Sequence, residues 1–175
     1  MSKDLFQSPL GTILITSENN ILTSLQFLDT SSDDKTSQFT CTTEKVEQVV
    51  EDCKLQLAEY FEGKRKKFDL HISTIGTAFQ KKVWLQLTLI PYGKHINYLE
   101  LSRRVGDAKA IRAVGSTNGK NKFPILVPCH RVIGSDGSLV GYAGQLWRKK
   151  WLLEHEAKCS NVAQQLTVFS NHELF

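Results

Sequence analysis

The chain has 175 residues, 41% of them hydrophobic and 23% charged, the balance of a water-soluble globular protein with enough mass for one ordinary domain or two small ones. No apolar run reaches membrane-spanning length, and the first residues, Met1-Ser2-Lys3-Asp4-Leu5, lack the apolar core of a secretory signal. The net charge of +4 is unevenly spread: residues 1–73 hold 8 Lys/Arg against 12 Asp/Glu, and residues 74–160 hold 14 against 5. The second half is therefore the one suited to polyanions, nucleic acid first among them.

Cys41, Cys53, Cys129 and Cys159 form no C-x-x-C pair. Neither a local zinc site nor a dithiol redox motif is encoded, and the expectation is a reducing, cytoplasmic setting with free thiols. Residues 5–28 alternate apolar and polar in two runs, after Ser8-Pro9-Leu10-Gly11 and after Asn19-Asn20, and predict strand-turn-strand. Residues 29–42 are polar and read as a loop with a short strand near Phe39. A helix is expected from about Thr43, with Val46, Val49, Val50, Cys53, Leu57 and Phe61 at helical spacing. Gly63 ends it, the basic Lys64-Arg65-Lys66-Lys67 follows, and Phe68 to Ile72 reads as another strand. Cys53 reads as core, and His71 as a strand histidine with no partner.

Ser73 to Gly76 reads as a linker. Thr77 followed by Gln80 is a capping-box signature, and Phe79, Val83, Leu87 and Ile90 form the apolar stripe of a helix stopped by Pro91-Tyr92-Gly93. Two short helices are expected next, Tyr98 to Val105 and Ala108 to Asn118, the second with Ile111 and Val114 inside. Joined by Gly106-Asp107 in the basic half, they suggest a helix-turn-helix. Ala108, Ala110, Ala113 and Gly115 make the second helix slim.

Ile125-Leu126-Val127 then reads as a short buried strand stopped by Pro128, which has no backbone donor. Cys129, His130 and Arg131 follow directly, anchored on the far side by Val132, Ile133 and Gly134. A thiol is nucleophilic as its thiolate, which nearby cations and backbone donors favour. A Cys-His pair alone more often marks a structural cysteine beside a surface pair, so the rest of the chain must decide. Ser135-Asp136-Gly137-Ser138 is a turn and Gly141-Tyr142-Ala143-Gly144 a loop open to close backbone approach. Trp147 to Glu156 reads as a helix with Trp151, Leu152 and His155 inside. Residues 157–175 show no clear period and read as a tail in which Cys159, His172 and Glu173 are incidental.

These pieces in this order resemble the O6-alkylguanine-DNA alkyltransferase family, also called methylated-DNA–protein-cysteine methyltransferases. The resemblance rests on Gly76-Thr77-Ala78-Phe79-Gln80 with Val83-Trp84, Ile90 to Gly93, Ala110 to Gly115, Asn118 to Asn121, Ile125 to Ile133, Gly141 to Gly144, and Lys150 to Glu156. It covers about half the chain; residues 1–73 are similar only in outline.

The resemblance implies an α+β fold: a small ribonuclease H-like N-terminal α+β domain (1–73), a mainly helical domain with a DNA-binding helix-turn-helix (74–160), and a C-terminal tail (161–175). It implies a monomer that binds duplex DNA, with no cofactor, metal or membrane, in the cytoplasm or at a bacterial nucleoid. A guanine alkylated at O6 is flipped out and its alkyl group moved irreversibly to Cys129, once per molecule. An O4-alkylated thymine is the further substrate class left open.

Carried to matching positions, His130 takes the thiol proton through a water and Glu156 holds His130. Asn121 ties the helix-turn-helix to the active-site segment. Tyr98 assists base rotation, and Arg112 fills the gap left by the base. Ala110 and Ala113 belong to a recognition helix in the minor groove. Pro124, Val132, Tyr142 and Ala143 line the pocket. Departures from the family's pattern are Leu99 and Gln145 where glycine is usual, Lys122 where proline is common, and Ala143, which offers no hydroxyl. Rival readings are a sensor of alkylated DNA, which would lack the cysteine, an alkylation-triggered transcription activator with an added zinc domain, and a cysteine hydrolase using Cys129 and His130.

Overall fold

The computed structural model describes residues 1–28 and 46–160. The readings made for 29–42, for Cys41 and for the tail 161–175 lie outside them; the helix expected from about Thr43 begins only at Gln48, because Glu47 is extended at φ -64°, ψ 143°. The chain divides into two compact units, Met1–Thr74 and Ile75–Phe175.

In the first unit, β1 (Ser2–Ser8), β2 (Gly11–Glu18) and β3 (Ile21–Phe27) form an antiparallel sheet in sequence order. That is one strand more than the two runs predicted, because residues 2–8 pair along their whole length with β2. Ser8 closes the first turn, its hydroxyl donating to Gly11 O and accepting from Leu10 N. Asn19 and Asn20 both take positive φ, 53° and 59°, the conformation that matches a tight hairpin to strand twist. Asn20 also reaches α1 (Gln48–Phe61). Its Oδ1 accepts from Val49 N at 2.9 Å, capping a helix whose own N-cap side chain makes no such bond. Val49, Val50, Cys53, Leu57 and Tyr60 are buried along its inner face.

The strand expected over 68–72 is reduced to a single bridge from Ile72 to Leu22. The reason is local: Gln56 pairs with the backbone of Asp69 in both directions, at 2.9 and 2.8 Å, using groups a ladder would need. His71 is exposed.

In the second unit, α2 (Ala78–Thr88) opens with the expected capping box. Thr77 Oγ1 accepts from Gln80 N, and Gln80 Oε1 accepts from Thr77 N. Val83, Leu87 and Ile90 are buried. β4 (Ile96–Asn97) leads directly into α3 (Tyr98–Val105), capped by Asn97 and ended by Gly106. α4 runs Ile111–Gly119. The start expected at Ala108 is a turn instead, because the Asp107 carboxylate accepts Lys109 N and the Asp107 carbonyl accepts Ala110 N. Ile111, read as an inside residue, is 39% exposed for the same reason: it begins the helix and has no preceding turn to cover it.

The apolar run Ile125–Val127 buries Ile125 and Val127 and leaves Leu126 half-buried, and it is not a strand. Val127 N bonds back to Phe123 O, and Asn121 takes both Phe123 N and Val127 O with its side chain. The short strand β5 lies after the cysteine, at Val132–Ile133, parallel to β4. α5 spans Leu146–Cys159, longer than predicted at both ends. Its buried residues include Arg148, Lys149, Leu152, Leu153 and Glu156. Trp151 and His155, expected inside, are half-buried and stack on each other at 4.8 Å.

Removing the Thr77 cap tests the start of the second unit. Thr77→Ala should lower stability by about 1 kcal/mol, read as a reduced urea midpoint with unchanged slope; an unshifted midpoint would show that the box contributes nothing.

Candidate active site

Cys129 opens a one-turn 3-10 segment, Cys129–Arg131, held between Pro128 and β5. It is 4% exposed. Its Sγ accepts from Asn121 Nδ2 at 3.1 Å, and the same amide group donates to Val127 O at 2.8 Å. One side chain therefore fixes both the approach to the cysteine and the sulfur itself. Burial pushes the Cys129 thiol up; the Asn121 bond, the Lys149 charge and the backbone N–H groups of Cys129 and His130 push it back down. The thiolate thus depends on these few donors.

His130 is fully buried, with Nε2 2.8 Å from Glu156 Oε1. Burial, aided by the charges of Arg131 and Lys149, depresses the imidazole below its ordinary value despite Glu156. The ring is neutral at pH 7, and its Nε2–H faces the carboxylate. That leaves Nδ1 as a lone-pair acceptor, and it has no hydrogen-bond partner among the described residues. This is the tautomer of a base.

Glu156, on α5, is 1% exposed yet accepts at least four bonds. His130 Nε2 and Arg131 Nη2 (2.9 Å) meet Oε1; Arg131 Nε (2.9 Å) and Gly93 N (3.0 Å) meet Oε2. Burial alone would raise its pKa, but the His130 and Arg131 partners outweigh it and hold the carboxyl well below the usual range. Arg131 also donates to Ile90 O at 2.6 Å and lies 5.7 Å from the Tyr92 ring centroid. Gly93 has φ +73°, and a Cβ there would sit 2.3 Å from Ser160 Oγ, so no other residue could present that amide.

Tyr98 donates toward Val140 O and Gly141 O, each at 3.3 Å, and accepts from Asn118 Nδ2 at 3.2 Å. Asn118 is 2% exposed. Its amide also lies 3.3 Å from Cys129 O and 3.4 Å from Gly141 O. It joins the nucleophile, the tyrosine and the loop around Tyr142. Gly141, at φ +65°, could carry no side chain: a Cβ would lie 2.5 Å from Tyr98 Oη. Tyr142 is buried, its Oη is without a partner among the described residues, and its pKa is raised well above normal by burial and then by Cys129. Asn118 Oδ1 is likewise buried and unpartnered. Buried polar atoms of this kind call for a bonding partner.

The expected residues thus fall into three groups. Cys129, His130, Glu156, Asn121, Tyr98 and Tyr142 converge on one site. Arg112 and Ala113 are exposed and Ala110 is half-buried, all at the start of α4. Pro124 is half-buried and Ala143 exposed, while Val132 is fully buried and gives its carbonyl to Lys149. Asn118 and Lys149 carry no sequence expectation of a role, and Arg131 is expected only as a cation beside the cysteine. Arg131 stood in the motif itself; its pairing with Glu156 spans 25 residues and leaves no local signal. Among the described residues no three His, Cys, Asp or Glu gather as metal ligands.

Two family models match the chain: the ribonuclease-like domain of 6-O-methylguanine DNA methyltransferase over residues 1–74, and its DNA binding domain over 78–158. The chain belongs to this family, and its sheet-containing and helical units are the α+β architecture expected. Among its relatives is the constitutive methylated-DNA–protein-cysteine methyltransferase of Bacillus subtilis, 44% identical over 79% of this chain and 84% of that protein. Another is the methylated-DNA–protein-cysteine methyltransferase of Methanosarcina acetivorans, 39% identical over 89% and 97%. The crystal structure of Mycobacterium tuberculosis OGT in complex with DNA superposes with a TM-score of 0.78 at 36% identity, covering 91% of this chain and 94% of that one.

Gln145, where the family usually has glycine, takes φ 70° and ψ 143°, a region that costs a side chain of order 1–3 kcal/mol. Its Oε1 accepts from Trp147 Nε1 at 2.7 Å, a partial offset. Gln145→Gly should therefore raise stability by about 1 kcal/mol in urea titration; a loss would place the side-chain bond above the strain.

The buried ionic cluster sets the acid response. His130 titrates lower in the fold than in the unfolded chain, so stability should start to fall as pH drops below about 6.5. Glu156, also depressed, should add a second loss below about pH 4.3. Urea midpoints against pH check both limbs, and a flat profile across that range would contradict the assignment.

Proposed function

We propose that this protein repairs DNA by moving an alkyl group from O6 of a flipped-out guanine to Cys129, irreversibly and once per molecule. The observation that carries the reading is the Cys129 sulfur bound to Asn121 beside a neutral His130 oriented by Glu156, in a chain of this family. Asn121 and the local N–H groups favour the thiolate. His130 Nδ1 accepts the thiol proton through a bridging water, and Glu156 steadies the imidazolium that results, the nucleophile-base-orienter logic of covalent catalysis.

The thiolate attacks the alkyl carbon; the S–C bond forms as the C–O6 bond breaks, the electron pair stays on O6, and the guanine anion takes back through water the proton that His130 held, leaving as neutral guanine. A thioether is a far poorer leaving group, so no group in this site regenerates the thiol. Double-stranded DNA is the partner. Damaged guanine is selected because the base must leave the stack, at a cost of a few kcal/mol that pocket contacts offset. Tyr98 turns the nucleotide, Arg112 enters the gap, and Ala110 and Ala113 let α4 approach the minor groove. Exposure of Arg112 beside two small residues supports this division of labour. Pro124, Tyr142, Ala143 and Val132 shape the base pocket. The protein acts as a monomer in the cytoplasm; among the described residues no helix is long and apolar enough to cross a membrane.

Incubation with duplex DNA holding O6-methylguanine should add one methyl to the Cys129 peptide by mass spectrometry, in stoichiometric amount, and none in Cys129→Ser. Repeated turnover, or a methyl found elsewhere, would overturn the reading. Arg112→Ala should reduce base flipping, followed by a fluorescent base analogue, more than it reduces DNA affinity at fixed salt; equal losses would remove the gap-filling role.

A further inference from the structure

Lys149 is 0% exposed, a rare state for lysine unless its charge is used. From α5 its Nζ donates to Val132 O at 2.6 Å and Val140 O at 2.5 Å, and it lies 5.9 Å from the centroid of the Tyr98 ring. Val132 directly follows the nucleophile turn. Val140 precedes Gly141, whose carbonyl Tyr98 also holds. The ammonium therefore clamps the nucleophile segment to the loop bearing Tyr142. None of those three partners carries a formal charge, and keeping a cation dry costs several kcal/mol. A neutral donor would serve the clamp alone.

The negative charge within its influence is the one Cys129 gains on losing its proton. Burial draws the lysine down to about 8, Cys129 draws it back up, and Lys149 in turn lowers the thiol. The other titratable groups facing the sulfur are Tyr98 from α3 and Tyr142 from the loop, both raised first by burial and neutral at pH 7. His130 is neutral too, and Arg131 is spent on Glu156. Arg148 faces Tyr142.

We propose that Lys149 is a positioning residue for alkyl transfer, whose ammonium stabilises the Cys129 thiolate while its hydrogen bonds hold the nucleophile turn against the pocket loop. The proposal deepens the alkyl-transfer reading and rests on it. The charge is needed before attack, when the sulfur is anionic, and loses its counterpart once the sulfur becomes a thioether.

The test needs no DNA. The rate of Cys129 alkylation by iodoacetamide, read on the Cys129 peptide by mass spectrometry, is followed across the pH range spanning the ordinary thiol value of about 8.5. Lys149→Met should move the midpoint up by about one unit, a tenfold slower reaction at neutral pH, with the high-pH plateau kept. Lys149→Arg should restore the midpoint. An unmoved midpoint, with or without a lower plateau, would leave Lys149 a purely structural clamp and overturn the proposal.

Should Lys149→Met fail to fold, the reciprocal measurement decides. The Lys149 ammonium, followed by NMR, should titrate lower in Cys129→Ser than in the unsubstituted protein; identical titrations would overturn the coupling. A protein that passes these tests yet moves no methyl from DNA would refute the repair reading and leave the lysine–thiolate pairing standing.

Discussion

At least four donors converge on the Glu156 carboxylate, and the second unit is organised by that convergence. The carboxylate sits on α5. Its partners come from the Cys129–Arg131 turn and from the Pro91-Tyr92-Gly93 stop after α2. A buried charge without partners would be driven neutral or exposed. Here the partners are themselves buried, so each makes the others tolerable. Removing one member of such a cluster costs about 3–5 kcal/mol, because the remainder is left unpaired. The geometry of the nucleophile turn is thus secured by electrostatics where the backbone itself forms only a two-residue strand.

The same cluster sets the chemistry. By occupying His130 Nε2, Glu156 directs the free lone pair of the imidazole to Nδ1. By accepting from Arg131 Nε and Nη2 together, it fixes the guanidinium on the carboxylate. The sulfur is left with Asn121, two backbone amides and the more distant Lys149 charge. These weaken its proton affinity without blocking its approach to carbon.

A second network, neutral, surrounds the first. Asn118 touches Tyr98, Cys129 O and Gly141 O with one amide group, and Asn121 does the same for Phe123, Val127 and Cys129. Both lie at the C-terminal end of α4 or just beyond it. The helix that carries the exposed Arg112 at its start therefore reports to the nucleophile at its end.

Local chemistry made much of this readable from residues alone. The Thr77–Gln80 capping box, the turn at Gly106 and the cysteine between apolar anchors depend on neighbours a few positions apart and stand where expected; the stripes of α1 and α2 hold at Val49, Val50, Cys53, Leu57, Val83 and Leu87, while Val46, Phe61 and Phe79 are half-buried. What failed was also local in origin but settled by competing side chains. Ile125–Val127 had the composition of a strand, yet Asn121 took its hydrogen bonds, and Ile125 turned to φ 75°. Phe68–Ile72 lost its ladder to Gln56. Ala108–Ala110 yielded to the Asp107 turn. Tertiary structure alone decided that Arg131 would grip Glu156, that Asn118 would span three segments, and that Lys149 would be dry. Those contacts join residues far apart in the chain, and burial, which no short window of sequence encodes, gives their charges their strength.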